Sequence, residues 1–409
     1  MKKILLTIIL TLPFAYSMAQ TKATASQLYQ GTLVREDGNN IVFTFELHKQ
    51  LKRPVLYIIN GKERLKVDSV RITTDSIFIN MPLFESYLKA AINNNTWSGL
   101  WIKETSEGTQ QMPFTARPAA IRFPRINGLA RYNITGRWQA DFASDSGQAI
   151  NSVAEFQQRG SNLTGSFLTT TGDYRYLSGI VTGNQLQLST FDGSHAYLFT
   201  AHIAANNKIS NGKFYSGKIF VDEWNAEKKS SAVVPPDASA MYLRPGESTL
   251  NFRFPDLDSN LVSIKDDRFK NKVVVIQLMG SWCPNCMDET AFLSDYYRAN
   301  KSRGVEILGL AYEYSTSFER AKQGLLKFKN RFNVQYPLLF TGVTTSDESR
   351  TEKTLPQLTP IKVFPSSIIL DKKGVVRKLD NGFYGPGTGI HYERYKKEFN
   401  ETINKLLNE

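Results

Sequence analysis

Two hydrophobic periods divide this chain. From residue 20 to about 229, short alternating runs of apolar and polar residues are broken by Gly, Asn, Asp and Ser, as in NIVFTFEL (40–47), PVLYIING (54–61), SIFINM (76–81), QLQLST (185–190) and HAYLFTAHI (195–203). Alternation places successive side chains on opposite faces, so each run predicts a half-buried strand. Many short strands separated by turn residues predict an all-β antiparallel barrel or sandwich. Beyond residue 249 the pattern changes. KVVVIQLM (272–279) is a continuous β-branched and apolar run, the mark of a strand buried on both faces. A helix is expected over 284–301, with Met287, Ala291, Phe292 and Tyr296 at helical spacing. A strand over 305–312, a helix over 317–332, a short strand over 337–340, a strand pair over 366–370 and 375–379, and a helix over 392–407 follow. With a short strand at 261–264 ahead of them, they predict an α/β layered domain.

At 409 residues the chain is too long for one ordinary core. The expected division is a leader over 1–19, a β-rich part over 20–231, a linker over 232–248 and the α/β part over 249–409. The linker reading rests on VVPPDASAMYLRPGES (233–248), with its paired prolines, small residues and Pro-Gly turn. A weak internal duplication runs through the β part. DSIFINMPLFESYLKAAI followed by NNNTWSGLW resembles NQLQLSTFDGSHAYLFTAHI followed by NNKISNGKF, about a hundred residues on. Half-repeats over 20–130 and 131–231 follow from it. They read as two halves of one barrel or as two packed sheets, and one closed unit is preferred because closure removes exposed edges.

Lys2 and Lys3, the apolar run 4–12, Pro13, and small residues Ser17 and Ala19 before Gln20 make a secretory leader, too short in its apolar part to span a bilayer. No cysteine follows the cleavage site, which disfavours a lipid-anchored form. The mature chain is expected to be exported, periplasmic, and without stable membrane insertion. The net charge of +12 raises nucleic acid or an anionic membrane as partners. No dense basic run supports either: Lys228-Lys229 and Lys396-Lys397 are short and have acidic neighbours, so a solvated surface is the reading and no nucleic-acid partner is expected.

Export changes the meaning of the two cysteines, Cys283 and Cys286, which are the only ones in the chain. One closely spaced pair is no disulfide framework, and a bond closing so small a loop constrains the unfolded chain little. Working redox chemistry explains the pair better. Ser281-Trp282-Cys283-Pro284-Asn285-Cys286 lies where the apolar strand hands over to a helix. Free N–H groups and the positive end of the helix dipole favour thiolate over thiol there. Cys283 is therefore expected to attack, and Cys286, one turn on and more shielded, to resolve the mixed disulfide.

These residues, together with Phe254-Pro-Asp-Leu257, Val262-Ser263, KVVVIQLMGSWCPNC, Glu289 and Val363-Phe-Pro-Ser-Ser-Ile-Ile-Leu-Asp371, resemble the exported thioredoxin-like thiol:disulfide oxidoreductases of the TlpA/ResA type. The resemblance runs from about Phe252 to the C-terminus. It implies a thioredoxin-like α/β domain that exchanges disulfides with protein substrates in the reducing direction, with a membrane electron donor for re-reduction and no cofactor or metal. It implies that Pro365 is cis and lies against the dithiol, that the Phe364 backbone pairs with substrate, and that Glu289 is the buried acid serving Cys286. An ordinary glutamate complementing the helix N-terminus is the alternative for Glu289. Trp282 either shields the sulfurs and helps bind substrate or belongs to the core. Thioredoxin's titratable aspartate on the preceding strand is here Gln277, which cannot transfer a proton. Two departures stand out. Ala291 replaces a proline common in the family, and Pro284-Asn285 separates the cysteines.

Rival readings are poorer. A peroxiredoxin-like thiol peroxidase needs Pro-x-x-x-Thr-x-x-Cys, and the matching positions are Ile276 and Gly280. Zinc needs more ligands than one CxxC, and His48, His195, His202 and His391 have no ligand spacing. Gly385-Pro-Gly-Thr-Gly389 lacks the Lys-Ser/Thr of a phosphate loop and reads as a loop on the rim of the active-site groove. In a last alternative the β part is a ligand- or protein-binding module with an accessory redox domain, which would require Trp97, Trp101 and Trp138 to be exposed.

Overall fold

A computed structural model describes residues 26–49, 53–119, 121–124, 128–143, 150–205, 207–236 and 240–409. The leader expected over 1–19 lies outside the described residues. The β part forms two nine-stranded antiparallel sheets, over 26–118 and 136–228. In the first, the edge strands are Glu63–Val67 and Val70–Ile72, separated by only two residues of chain. So short a connection between opposite edges requires the sheet to curl until they nearly meet. In the second, strand Ile150–Arg159 pairs with Asn162–Thr169 as well as with Gly136–Phe142. That pairing closes a ring, to which Gly172–Asp173 adds a short extra strand.

The preference for a single closed unit is thus corrected. Each half has enough strands to hide its own edges, so neither needs the other for closure. The duplicated segments occupy the same place in each half. Ser76–Asn80 and Ser86–Asn93 are the sixth and seventh strands of one sheet, and Gln185–Phe191 and Ala196–Ala204 are the sixth and seventh of the other. Alternation works as expected: Ile41–His48 is buried at every second position. Trp97, Trp101 and Trp138 are buried in the interiors, which removes the exposed rings that the binding-module reading required.

The α/β part has a five-stranded sheet in the order Leu338–Phe340, Val305–Ala311, Val273–Met279, Ser366–Leu370, Val376–Asn381. The first three strands are parallel and the last two join antiparallel. Four helices accompany it: α1 (Pro284–Asn300), α2 (Phe318–Phe332), α3 (Arg350–Thr354) and α4 (Ile390–Asn408). Val273, Val275 and Met279 face α1, α2 and α4 through Leu293, Phe328 and Phe399. Val274, Ile276 and Leu278 face the other layer, made by Leu355, Leu358, Ile361, Phe252 and Met241. Cover on both faces is why the strand has no polar alternation. Met241 belongs to the stretch expected to be a linker, yet it is buried, and Leu243 bridges to Leu358. Part of that stretch is packed because its apolar side chains complete the second layer.

Candidate active site

The central strand ends at Met279, and the chain turns through Gly280-Ser281-Trp282 into α1. Glu313 holds this turn: it accepts from Ser281 N–H at 2.8 Å and from Ser281 Oγ at 2.6 Å. Burial lifts the Glu313 carboxyl to about 7 against the pull of those two bonds. Trp282 Nε1 donates to the Tyr312 carbonyl at 2.8 Å, and its ring stacks on Tyr314 and stands edge-on to Phe364. Only glycine fits at 280, where a Cβ would lie 2.0 Å from the Trp282 indole nitrogen. Trp282 is half-buried and packs against the apolar cluster that holds both cysteines.

Cys283 is the N-cap of α1, with extended backbone, and Pro284 occupies the first helical position, where the missing N–H costs nothing. Cys283 Sγ accepts from the Cys286 N–H at 3.2 Å. The same sulfur lies 3.6 Å from the Phe364 carbonyl, to which its thiol can donate. The Phe364–Pro365 peptide is cis. The structure therefore brings Trp282, Cys283, Phe364 and Pro365 to one place.

Cys286 is fully buried, and burial pushes its thiol well above the ordinary value, with the Cys283 hydrogen bond and charge adding to the rise. Glu289, one turn further, points inward. It accepts from Ser367 Oγ at 2.7 Å and Tyr395 OH at 3.0 Å on one oxygen, and from Gln277 Nε2 at 2.8 Å on the other. Burial raises its carboxyl to about 7, and the three donors restrain the rise. Gln277 is itself oriented by Thr290, whose hydroxyl donates to its Oε1 at 3.1 Å. A group poised near neutrality beside a buried thiol can exchange a proton with it at ordinary pH.

Ser367, Tyr395, Thr290 and Glu313 were not singled out from the sequence. Gln277 carried a signal as the lone polar residue inside KVVVIQLM, and Ser367 sits two positions past Pro365. Tyr395, 106 residues from Glu289, carried none. The Gly385–Gly389 segment is a single 3-10 turn leading into α4, and it lies beside Asp288 of α1.

Residues 244–388 match the Redoxin family model. The ResA thiol-disulfide oxidoreductase of Bacillus thuringiensis subsp. konkukian is 25% identical over 153 residues, spanning 37% of this chain and 77% of the relative. That of Halalkalibacterium halodurans is 25% identical over 162 residues, spanning 39% and 77%. Among solved structures, a thiol-disulfide oxidoreductase from Bacteroides fragilis aligns at 18% identity and TM-score 0.29, covering 37% of this chain and 99% of that one. A secreted thiol-disulfide isomerase from Corynebacterium glutamicum aligns at 18% and 0.32, covering 43% and 97%. The α/β part is a thioredoxin-like domain that carries the Redoxin match and is similar to the ResA thiol-disulfide oxidoreductases, and it is joined to an N-terminal all-β part.

Proposed function

We propose that the chain is an exported, periplasmic thiol:disulfide oxidoreductase that reduces disulfides of protein substrates. The observation that carries this reading is the placement of Cys283 Sγ at the α1 N-terminus, 3.6 Å from the Phe364 carbonyl, with Cys286 and Glu289 buried behind it. The Cys283 thiolate attacks one sulfur of a substrate disulfide, a mixed disulfide forms, and the leaving sulfur takes up a proton. The substrate backbone lies along Phe364-Pro365. Glu289 then accepts the Cys286 proton, and the Cys286 thiolate attacks Cys283 Sγ. The second substrate thiol leaves with a proton. Two electrons and two protons have passed to the substrate, and the Cys283–Cys286 disulfide remains. A membrane-bound dithiol donor returns the pair to its reduced form. The only two cysteines of the chain are the pair itself, so the donor dithiol would belong to a separate protein.

The test is reduction of a disulfide-bonded protein by the pre-reduced chain. Stoichiometric release of substrate thiols that Cys283→Ser abolishes is the expected result. Turnover unchanged in Cys283→Ser would overturn the reading.

A further inference from the structure

The β part does not merely precede the dithiol; it covers it. Cys283 is only 5% exposed, although an attacking sulfur must come within bonding distance of a substrate sulfur, about 2 Å. The cover comes from the second sheet. Asn285 Nδ2, between the two cysteines, donates to the Asp173 carbonyl at 3.2 Å, and Ser194 Oγ donates to the Trp282 carbonyl at 3.2 Å. On the opposite wall, Tyr384 OH donates to the Thr169 carbonyl at 2.8 Å, and Gly385 N–H donates to the Asp173 carboxylate at 2.7 Å. The turn 169–175 is thus wedged between the start of α1 and the 382–385 loop. The fit is tight. A Cβ at Gly172, where φ is +144, would lie 2.8 Å from Asn285 Nδ2 and 3.2 Å from the Phe383 carbonyl.

One buried guanidinium fastens this arrangement. Arg175 donates to both oxygens of Asp288 on α1, at 2.9 and 3.0 Å. It also reaches Asp192 of the second sheet at 3.0 Å and Glu63 of the first at 2.7 Å. Three carboxylates from three separate parts of the fold share one cation, so lifting the turn means exchanging the Arg175–Asp288 pair for water, a cost that keeps the turn seated until something displaces it. The contact made by the turn 169–175 is carried by hydrogen bonds and ion pairs, whereas Leu83 and Phe84 make an apolar contact in the cluster that also holds Cys283 and Cys286. A polar contact can exchange its partners for water and re-form, so it suits a closure that opens and shuts.

We propose that the turn 169–175 is a built-in cap on the dithiol, and that a substrate disulfide gains access to Cys283 only when this cap lifts. The proposal rests on the redox reading above. A cap of this kind protects a reduced pair in an oxidising compartment until a specific substrate displaces it.

The experiment uses the full reduced chain and follows alkylation of Cys283 by iodoacetamide and by a maleimide carrying a polymer of several kilodaltons. Cycling of the pair with glutathione is followed alongside. In Gly172→Ala the added methyl forces the turn off Asn285, and alkylation is expected to be roughly tenfold faster or more, the scale of losing charge-assisted and backbone contacts together. Arg175→Gln is expected to act in the same direction. Normal cycling with an alkylation rate equal to that of the native chain overturns the cap alone. Faster alkylation without cycling leaves the cap standing and overturns the redox reading. Because either variant can fail to fold, a further measurement uses Cys286→Ser joined to a cysteine peptide as a mixed disulfide. Amide hydrogen exchange at 169–175 is expected to rise over the peptide-free protein, and unchanged protection overturns the proposal.

Discussion

Gln277 Nε2 donates to Glu289 Oε2 at 2.8 Å, which ties the middle of the central strand to the second turn of α1 beneath the dithiol. The bond orients a carboxyl whose burial has raised it to about 7, so its protonation changes across the pH range in which the chemistry runs. Resolution of the mixed disulfide is expected to speed up as pH rises through about 7, because only ionised Glu289 can take the Cys286 proton. In Glu289→Gln the step should slow by roughly 10²-fold at neutral pH, the lower range for a lost general base. The check is the lifetime of the mixed disulfide from pH 6 to 8. A profile identical in the variant would sink the assignment.

Ser367 Oγ donates to the same carboxylate at 2.7 Å and favours its ionised form. Ser367→Ala is therefore expected to move the inflection of that profile upward by about one unit. A downward shift would contradict the hydrogen-bond account.

Glu313 gives a stability prediction. Burial lifts its carboxyl from the ordinary 4.5 to about 7 in the folded protein. Between those values the folded protein holds a proton that the unfolded chain has lost, so stability falls as pH rises through this window. Glu313→Gln keeps an acceptor for Ser281 N–H and removes the ionisation. The variant should gain on the native protein between pH 5 and 8, by about 3 kcal/mol at most. Urea midpoints at both pH values test it, and an equal difference at each would refute it.

Gly280→Ala places a methyl where the Trp282 indole lies. A cost of about 1–3 kcal/mol is expected from overpacking. Loss of the Trp282 bond to the Tyr312 carbonyl should also alter tryptophan fluorescence. Denaturation curves matching those of the native protein would show that the turn relaxes freely.

The reduction potential of the Cys283–Cys286 couple decides direction. A value near about −270 mV fits a reductase that needs a dedicated donor, and one near about −120 mV marks an oxidant and would overturn the reducing direction.

Local chemistry was enough to reveal the two regimes of strand and the CxxC placed between a buried strand and a helix. KVVVIQLM announced burial on both faces because no polar alternation interrupted it, and Cys283-Pro284 announced a helix start. Glu289 was singled out through the family resemblance that the motif carries. The short helix α3 was not, since five residues carry too little periodicity to be read. Nor could alternation say how nine strands per half would close, because it records which face is buried and not which strands are neighbours. Tyr395 and Ser367 meet Glu289, and Arg175 meets Glu63, Asp192 and Asp288, across long stretches of chain. Spacing and pattern carry information over a few turns of helix or one hairpin. Such distant contacts are decided only when packing brings whole elements together, which is why the dithiol could be read from the sequence and its cover could not.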